Sequence, residues 1–158
     1  MSLINVLARP MLGGIFIYGG LDAVRQPQSK VAKAETVVAD APVASEFDTE
    51  NLVRINGAVQ VGAGVALSLS FFPRVASLVL AASLVPTTAA GHRFWEADDD
   101  ATRSQQTIHF LKNVAIVGGL IFAATDTGGR PSVPWRAKRA VADAAHHALE
   151  IVPGSHAD

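Results

Sequence analysis

The sequence contains no cysteine. This excludes disulfides, thiolate catalysis, iron–sulfur clusters and cysteine-ligated zinc sites within the chain. The sequence also lacks an excess of charge of either sign, since 13 Lys and Arg residues stand against 14 Asp and Glu residues, which gives a net charge of −1. A nucleic-acid-binding domain normally carries a basic face, so nucleic acid is not an expected partner.

The sequence likewise lacks the motifs that mark common catalytic sites. It has no phosphate-binding loop, nucleophile elbow or dinucleotide-binding fingerprint, and its two internal glycine pairs, at residues 13–14 and 118–119, have no strand before them. The histidines show neither the His-x-x-His nor the His-x-x-x-His spacing that places two ligands on one helix face. The sequence therefore identifies no catalytic residue, and we predict no metal site.

Four long intervals of the chain are rich in apolar side chains and nearly free of charge, with Arg9 in the first and Lys112 in the fourth as their only Lys, Arg, Asp or Glu residues. Each is close to the length of about 17–25 residues that a helix needs to cross a hydrocarbon core of about 30 Å. These intervals are residues 3–21, 55–72, 75–91 and 108–124. A soluble helix would show polar residues on one face of every turn, and these runs do not. The pattern predicts an all-α membrane protein, a bundle of four transmembrane helices.

The middle two runs form the clearest feature of this pattern. Between Arg54 and His92 the only ionisable side chain is Arg74. This interval is too long for one straight span and suits two. Pro73 cannot continue a helix because it lacks an N–H, and Arg74 favours the membrane interface. We therefore expect a transmembrane hairpin that turns at Pro73.

The remaining segments suggest how the chain is organised outside the membrane. Residues 1–125 are predicted to form the transmembrane domain, with residues 22–53 as a long first extracytoplasmic loop. Residues 126–158 are predicted to form a cytoplasmic tail with an amphipathic interfacial helix that begins near Trp135 and ends near Val152. A frayed, soluble tail is the alternative. The basic residues of this tail and Arg74 favour the plasma membrane with both termini in the cytoplasm.

Several polar or small residues lie inside the predicted spans. They are Arg9 in the first span, Asn56 and Gln60 in the second, and Gly119 in the fourth. Asn and Gln side chains can form hydrogen bonds between helices, and small residues let helices approach closely. Arg9 and Lys112 lie near span ends, where each can instead extend its charge to the interface. Packing between helices is the interpretation we prefer over a substrate site.

A second polar group is predicted at the outer membrane surface, where the third span ends and the fourth begins. Its members are His92, Arg93, Trp95, Glu96, His109, Lys112 and Asn113. Such a cluster suits a quinone or lipid headgroup or a protein partner, whereas an aromatic belt at the interface is the simpler alternative. No cofactor is evident from the sequence, and quinone is the one candidate.

Segments of the chain resemble the DoxX family of small membrane proteins. They are residues 8–16, 19–20, 92–96, 106–113 and 118–120. The Phe-Leu-Lys-Asn stretch that ends at Asn113 is the most specific part of this resemblance. The resemblance implies a four-span layout and a link with membrane redox assemblies, including a subunit of thiosulfate:quinone oxidoreductase.

Two functions follow from the residues and the resemblance together. The first is an accessory or scaffold subunit of a membrane-bound redox assembly, which has protein partners and is not catalytic on its own. The alternative is a quinone-interacting subunit of a thiosulfate or thiol:quinone oxidoreductase, in which the outer polar group lines the headgroup site.

Overall fold

A computed structural model describes residues 3–38, 47–126, 135 and 138–144. Every regular element within these residues is helical, which confirms the all-α prediction. The elements are α1 (Leu3–Arg25), α2 (Gln28–Val38), α3 (Thr49–Ser68), α4 (Pro73–Gly91), a short 3₁₀ helix (Phe94–Glu96) and α5 (Asp100–Thr125).

The chain divides into two compact units, Met1–Asp126 and Thr127–Asp158. The second unit is described at Trp135 and at residues 138–144, which are helical. Within it, the guanidinium carbon of Arg139 lies 5.0 Å from the centroid of the Trp135 ring, a cation–π contact. The rest of the predicted tail helix, up to Val152, lies outside the described residues.

Three helical segments within the described residues are long and apolar enough to cross a membrane. They are Ile4–Arg25, Pro73–Glu96 and Asp100–Thr125. Helix α3 has 20 residues, but it carries Arg54, Asn56 and Gln60 among its apolar side chains and is not one of the three. The structure therefore supplies three candidate spans, and the fourth stays a prediction.

The corner between α3 and α4 has the tight geometry expected at Pro73. Ser70 and Phe72 adopt positive φ angles of 59° and 45°, a region that residues other than glycine rarely occupy. Pro73 then occupies the first turn of α4, where its missing N–H leaves no hydrogen bond unmade.

Helix α5 has a conventional N-cap. The carboxylate of Asp99 accepts a hydrogen bond of 2.8 Å from the backbone N–H of Thr102. Hydrogen bonds from the side chain and the backbone of Thr102 lower the pKa of the Asp99 carboxyl, so it stays charged at the positive end of the helix dipole. This cap starts α5 two turns before the predicted apolar run.

The apolar core of the first unit draws side chains from four helices. Phe16 of α1, Leu67 of α3, Leu80 of α4 and Leu120 of α5 are all buried and form one cluster. Helix α2 contributes no buried residue and packs against α3 and α4. The core therefore lies among α1, α3, α4 and α5.

Helices α1 and α3 run antiparallel and approach closely through glycines. Gly13 faces Gly64, and Gly20 faces Gly57, so the two pairs share a spacing of seven residues. A Cβ built on Gly13 would lie 2.5 Å from the carbonyl oxygen of Gly64, and one on Gly20 would lie 2.5 Å from that of Gly57. No side chain fits at these positions without moving a backbone, which makes the glycines the physical condition for this contact.

We expect Gly20→Ala to lower the free energy of unfolding by about 1–3 kcal/mol, because the added methyl group meets the backbone of α3. Gly19→Ala is the matched control, since a Cβ at Gly19 has nothing within 4 Å. Alanine favours helix over glycine, so the control is expected to be neutral or to stabilise by up to about 1 kcal/mol. Unfolding by SDS titration in mixed micelles measures both, and equal losses in the two variants would contradict the glycine contact.

Candidate functional site

The end of the bundle where α4 stops and α5 starts brings two histidines together. The rings of His92 and His109 stack with centroids 5.1 Å apart and an angle of 12° between their planes. Nδ1 of His92 lies 2.9 Å from Oε1 of Gln106. Because an amide oxygen only accepts, this contact places a proton on Nδ1 and leaves Nε2 of a neutral ring as an acceptor.

Arg93 and Glu96 form an ion pair at the same end of the bundle. Their Nη1 and Oε1 atoms are 2.6 Å apart. Arg93 also donates from Nη2 to the carbonyl oxygen of Thr36 at 3.0 Å and from Nε to that of Ala89 at 3.1 Å. Three elements therefore meet at one guanidinium, which ties the last turn of α2 to the end of α4.

Aromatic rings surround the 3₁₀ helix. Phe94 makes edge-on contacts with Trp95 and Phe110, with centroid distances of 5.0 and 5.4 Å. Trp95 is exposed and lies 6.4 Å from Phe110. The group presents an apolar, aromatic edge beside His109 of α5 and His92 at the end of α4.

The structure separates the three polar residues that open the fourth predicted span. Asn113 donates a hydrogen bond of 3.0 Å to Oγ1 of Thr88, so it joins α5 to α4. His109 is half-buried against His92, whereas Lys112 is exposed. His109 and Asn113 are four residues apart, and both lie on the α4 side of the helix. Lys112, three residues after His109, lies on the flank of the helix.

The polar residues of α3 also find partners on α4. Asn56 and Gln60 donate from their side-chain amides to Oγ1 of Thr87 at 3.1 and 3.3 Å. Gln60 is buried, and Thr87 in turn donates to the carbonyl oxygen of Ser83. Gly119 of α5 lies beside Leu12 of α1, where an added Cβ would be 3.5 Å from a methyl group. These contacts are inter-helix packing.

At the opposite end of the bundle lies an ionic group that we call the Arg9 cluster, formed by Asn5, Arg9, Ser70, Arg74 and Asp126. Arg9 is only 6% exposed. Its Nη2 atom lies 3.2 Å from Oδ2 of Asp126, and its Nη1 atom donates to Oγ of Ser70 at 3.0 Å. Arg9 is therefore held inside the protein and does not extend to the surface.

Two further contacts complete the Arg9 cluster around Asp126. Nδ2 of Asn5 donates to Oδ2 of Asp126 at 2.7 Å. Nε of Arg74 donates to the backbone carbonyl oxygen of Asp126 at 3.1 Å. The end of α5 is thus joined to the start of α1 and to the corner between α3 and α4.

A family model provides the assignment that the geometry alone does not give. The model of the DoxX family matches residues 4–93, more than half of the 158-residue chain. The chain belongs to the DoxX family. The match runs from α1 to the end of α4 and stops before α5, so the resemblance over residues 106–120 lies outside it. Comparison of this DoxX protein with curated proteins and with solved structures gives no significant match.

Several residues at the two ends of the DoxX bundle are absent from the sequence prediction. Thr87 and Thr88 receive the hydrogen bonds of predicted residues, but nothing in their local sequence distinguishes them. Gln106 binds His92 and begins the segment of residues 106–113 that resembles the DoxX family, but it is not among the predicted site residues. Asp126 falls in the predicted tail. The predicted even number of spans would place the start of the first span and the end of the fourth span at the same membrane surface. That prediction is the signal in the sequence that could have linked Asp126 with Arg9.

We expect Asp126→Ala to lower the free energy of unfolding by about 2–3 kcal/mol, because the buried Arg9 guanidinium loses its carboxylate. This loss is smaller than the usual cost of breaking a buried ion pair, because the Asp126 side chain is 24% exposed. The double variant Arg9→Met with Asp126→Ala should lose less than the two single variants combined. Asp22→Ala, which breaks the exposed pair with Lys30, is the control and should cost under about 1 kcal/mol. Strict additivity in the cycle would contradict the pairing.

Proposed function

We propose that this DoxX protein crosses the plasma membrane four times, with both termini in the cytoplasm, and acts as a non-catalytic accessory or scaffold subunit of a membrane redox assembly. The observation that carries the proposal is how the polar side chains within the helices are used. Asn56, Gln60 and Asn113 each bind a threonine on a neighbouring helix, so these groups hold the bundle together.

The contact between α1 and α3 supports the fourth span. Gly13 faces Gly64 and Gly20 faces Gly57, so α3 runs beside α1 at the same depth along most of its length. If α1 crosses the bilayer, α3 crosses with it. Each of its two polar amides donates a hydrogen bond within the protein to Thr87, which lowers their cost in lipid.

Helix α5 is the element best suited to meet a partner. Only 6% of its apolar window is buried inside the chain, compared with 22% for α1 and 28% for α4. A glycine on its open side, Gly118, has nothing within 4 Å of an added Cβ. Small residues on an open helix face allow another transmembrane helix to approach closely.

Purification of the tagged, full-length protein in a mild detergent tests the accessory role. A redox enzyme or respiratory subunit is expected in stoichiometric amount, identified by mass spectrometry and by its activity. Gly118→Leu should reduce its recovery at least about tenfold, which corresponds to about 1.4 kcal/mol of lost contact. Gly14→Leu on α1 is the matched control, because it too has open space around its Cβ. Repeated recovery of the protein alone would contradict the proposal.

The second candidate function is a quinone-interacting subunit, and the stacked histidines favour it. A quinone headgroup is a flat, apolar ring whose two carbonyl oxygens accept hydrogen bonds. The half-buried His109 ring and the exposed Lys112 ammonium offer donors, and Trp95 and Phe110 offer aromatic surface nearby. These residues fit such a headgroup, which would supply the electron-accepting chemistry.

Under this second function, His109→Ala should lower thiosulfate- or thiol-dependent quinone reduction by membranes at least about tenfold, because it removes one donor to the headgroup. Lys112→Ala should also lower the rate, and since Lys112 is exposed its loss leaves the packing intact. Arg103→Ala, an exposed cation earlier on the same helix, is the control. Rates are compared per folded protein, and unchanged rates in both variants would remove the quinone hypothesis.

A further inference from the structure

We propose that the corner between α3 and α4, residues 69–74, binds the phosphate group of an anionic phospholipid through Arg74. The inference rests on the four-span arrangement, which places this corner at a membrane surface, but not on the accessory role. Three observations support it: the charge balance of the Arg9 cluster, the free donors of Arg74, and the apolar side chains exposed beside it.

The Arg9 cluster holds one more cation than anions among the described residues. Arg9 and Arg74 are both cationic, and Asp126 supplies the one carboxylate. Oδ2 of that carboxylate receives Asn5 and Arg9, whereas Arg74 binds the backbone carbonyl oxygen. The buried ion pair therefore leaves the charge of Arg74 uncompensated by the residues described around it.

Arg74 also retains the geometry needed to bind a phosphate. Its Nε atom is engaged at 3.1 Å with the carbonyl oxygen of Asp126, which fixes the plane of the guanidinium group. Its two terminal nitrogens make no hydrogen bond to any residue that the structure describes, and Arg74 is only partly buried. A guanidinium held in this way presents two parallel N–H groups, the arrangement that matches two phosphate oxygens.

The apolar side chains of the corner indicate that the phosphate belongs to a lipid. Leu69, Phe71 and Phe72 are 74%, 66% and 71% exposed, although they lie in a turn between two helices. Phe71 and Phe72 contact each other edge to face at 5.0 Å, so they form one apolar surface. Exposed aromatic and leucine side chains next to arginine are typical of segments inserted at the boundary between headgroups and acyl chains.

The backbone of the corner fixes these side chains in place. Ser70 and Phe72 have positive φ angles, and Ser70 receives the hydrogen bond from the buried Arg9. Such a conformation costs energy for residues other than glycine and persists only where neighbouring contacts impose it. The buried cation thus holds a corner that directs phenylalanines outward and keeps Arg74 beside them.

Native mass spectrometry of the full-length protein, titrated with phosphatidylglycerol or phosphatidylcholine in detergent, tests the site. One phosphatidylglycerol should bind more tightly than phosphatidylcholine. Arg74→Gln should weaken that binding about fivefold, the contribution of one basic residue at an anionic surface. Arg74→Lys keeps the charge but loses the two parallel N–H groups, so its affinity should lie between that of the unaltered protein and that of Arg74→Gln. Arg103→Gln removes one positive charge near the start of α5, far from the corner, and should leave the affinity for phosphatidylglycerol unchanged.

Further arms of the experiment distinguish a lipid site at Arg74 from nonspecific adsorption, from a free-anion site and from loss of fold. Equal binding of the two lipids, or equal losses in Arg74→Gln and Arg103→Gln, would overturn the proposal. Inorganic phosphate at millimolar concentration should not displace the lipid, and complete displacement would show a free-anion site instead. Thermal unfolding of each variant in detergent identifies any loss of binding that comes from loss of fold. Because the assay contains no partner protein, its outcome is independent of the accessory role.

Discussion

The close approach of α1 and α3 is the contact on which the rest of the bundle depends. At two points along this contact a glycine of α1 faces a glycine of α3, so the two backbones meet directly. The pairs Gly13 with Gly64 and Gly20 with Gly57 fix the antiparallel register of the two helices. A shift of one residue would rotate the glycines away and bring side chains into the gap. The same register carries Ser70 to Arg9, because the end of α3 then meets the start of α1.

A second constraint follows from the buried cation that this register encloses. An arginine that is 6% exposed requires a carboxylate, and among the described residues Asp126, where α5 ends, is the one that pairs with it. The ion pair therefore fixes the end of α5 beside the start of α1. At the other end α5 is held by the stacking of His109 on His92 and by the contact of Phe110 with Phe94 of the 3₁₀ helix. The bundle is thus joined by charge at one end and by aromatic and imidazole rings at the other.

The sequence predicts the helices well and their contacts poorly, for physical reasons. Apolar runs and Pro73 are local signals, so the all-α fold and the start of α4 follow from them. The sequence also predicts that Asn56 and Gln60 form hydrogen bonds between helices, but Thr87, which accepts from both, comes from another helix, and no local pattern identifies it. The sequence prediction groups Lys112 with His109, three residues earlier, on one face of the helix. In an α-helix a step of three residues turns the side chain by about 60° around the helix axis, so Lys112 lies to one side of His109.

Helix α5 differs from α1 and α4, the other two candidate spans, both in the family match and in how little of it is buried. The match covers α1 to α4, where the glycine contact and the threonine-bound amides lie. Helix α5 stands outside the match, contributes Asp126 and His109 to the two ends of the bundle, and is the least buried of the three candidate spans. The matched part of the chain therefore contains the contacts that join α1, α3 and α4, whereas α5 carries the most exposed apolar surface of the three candidate spans.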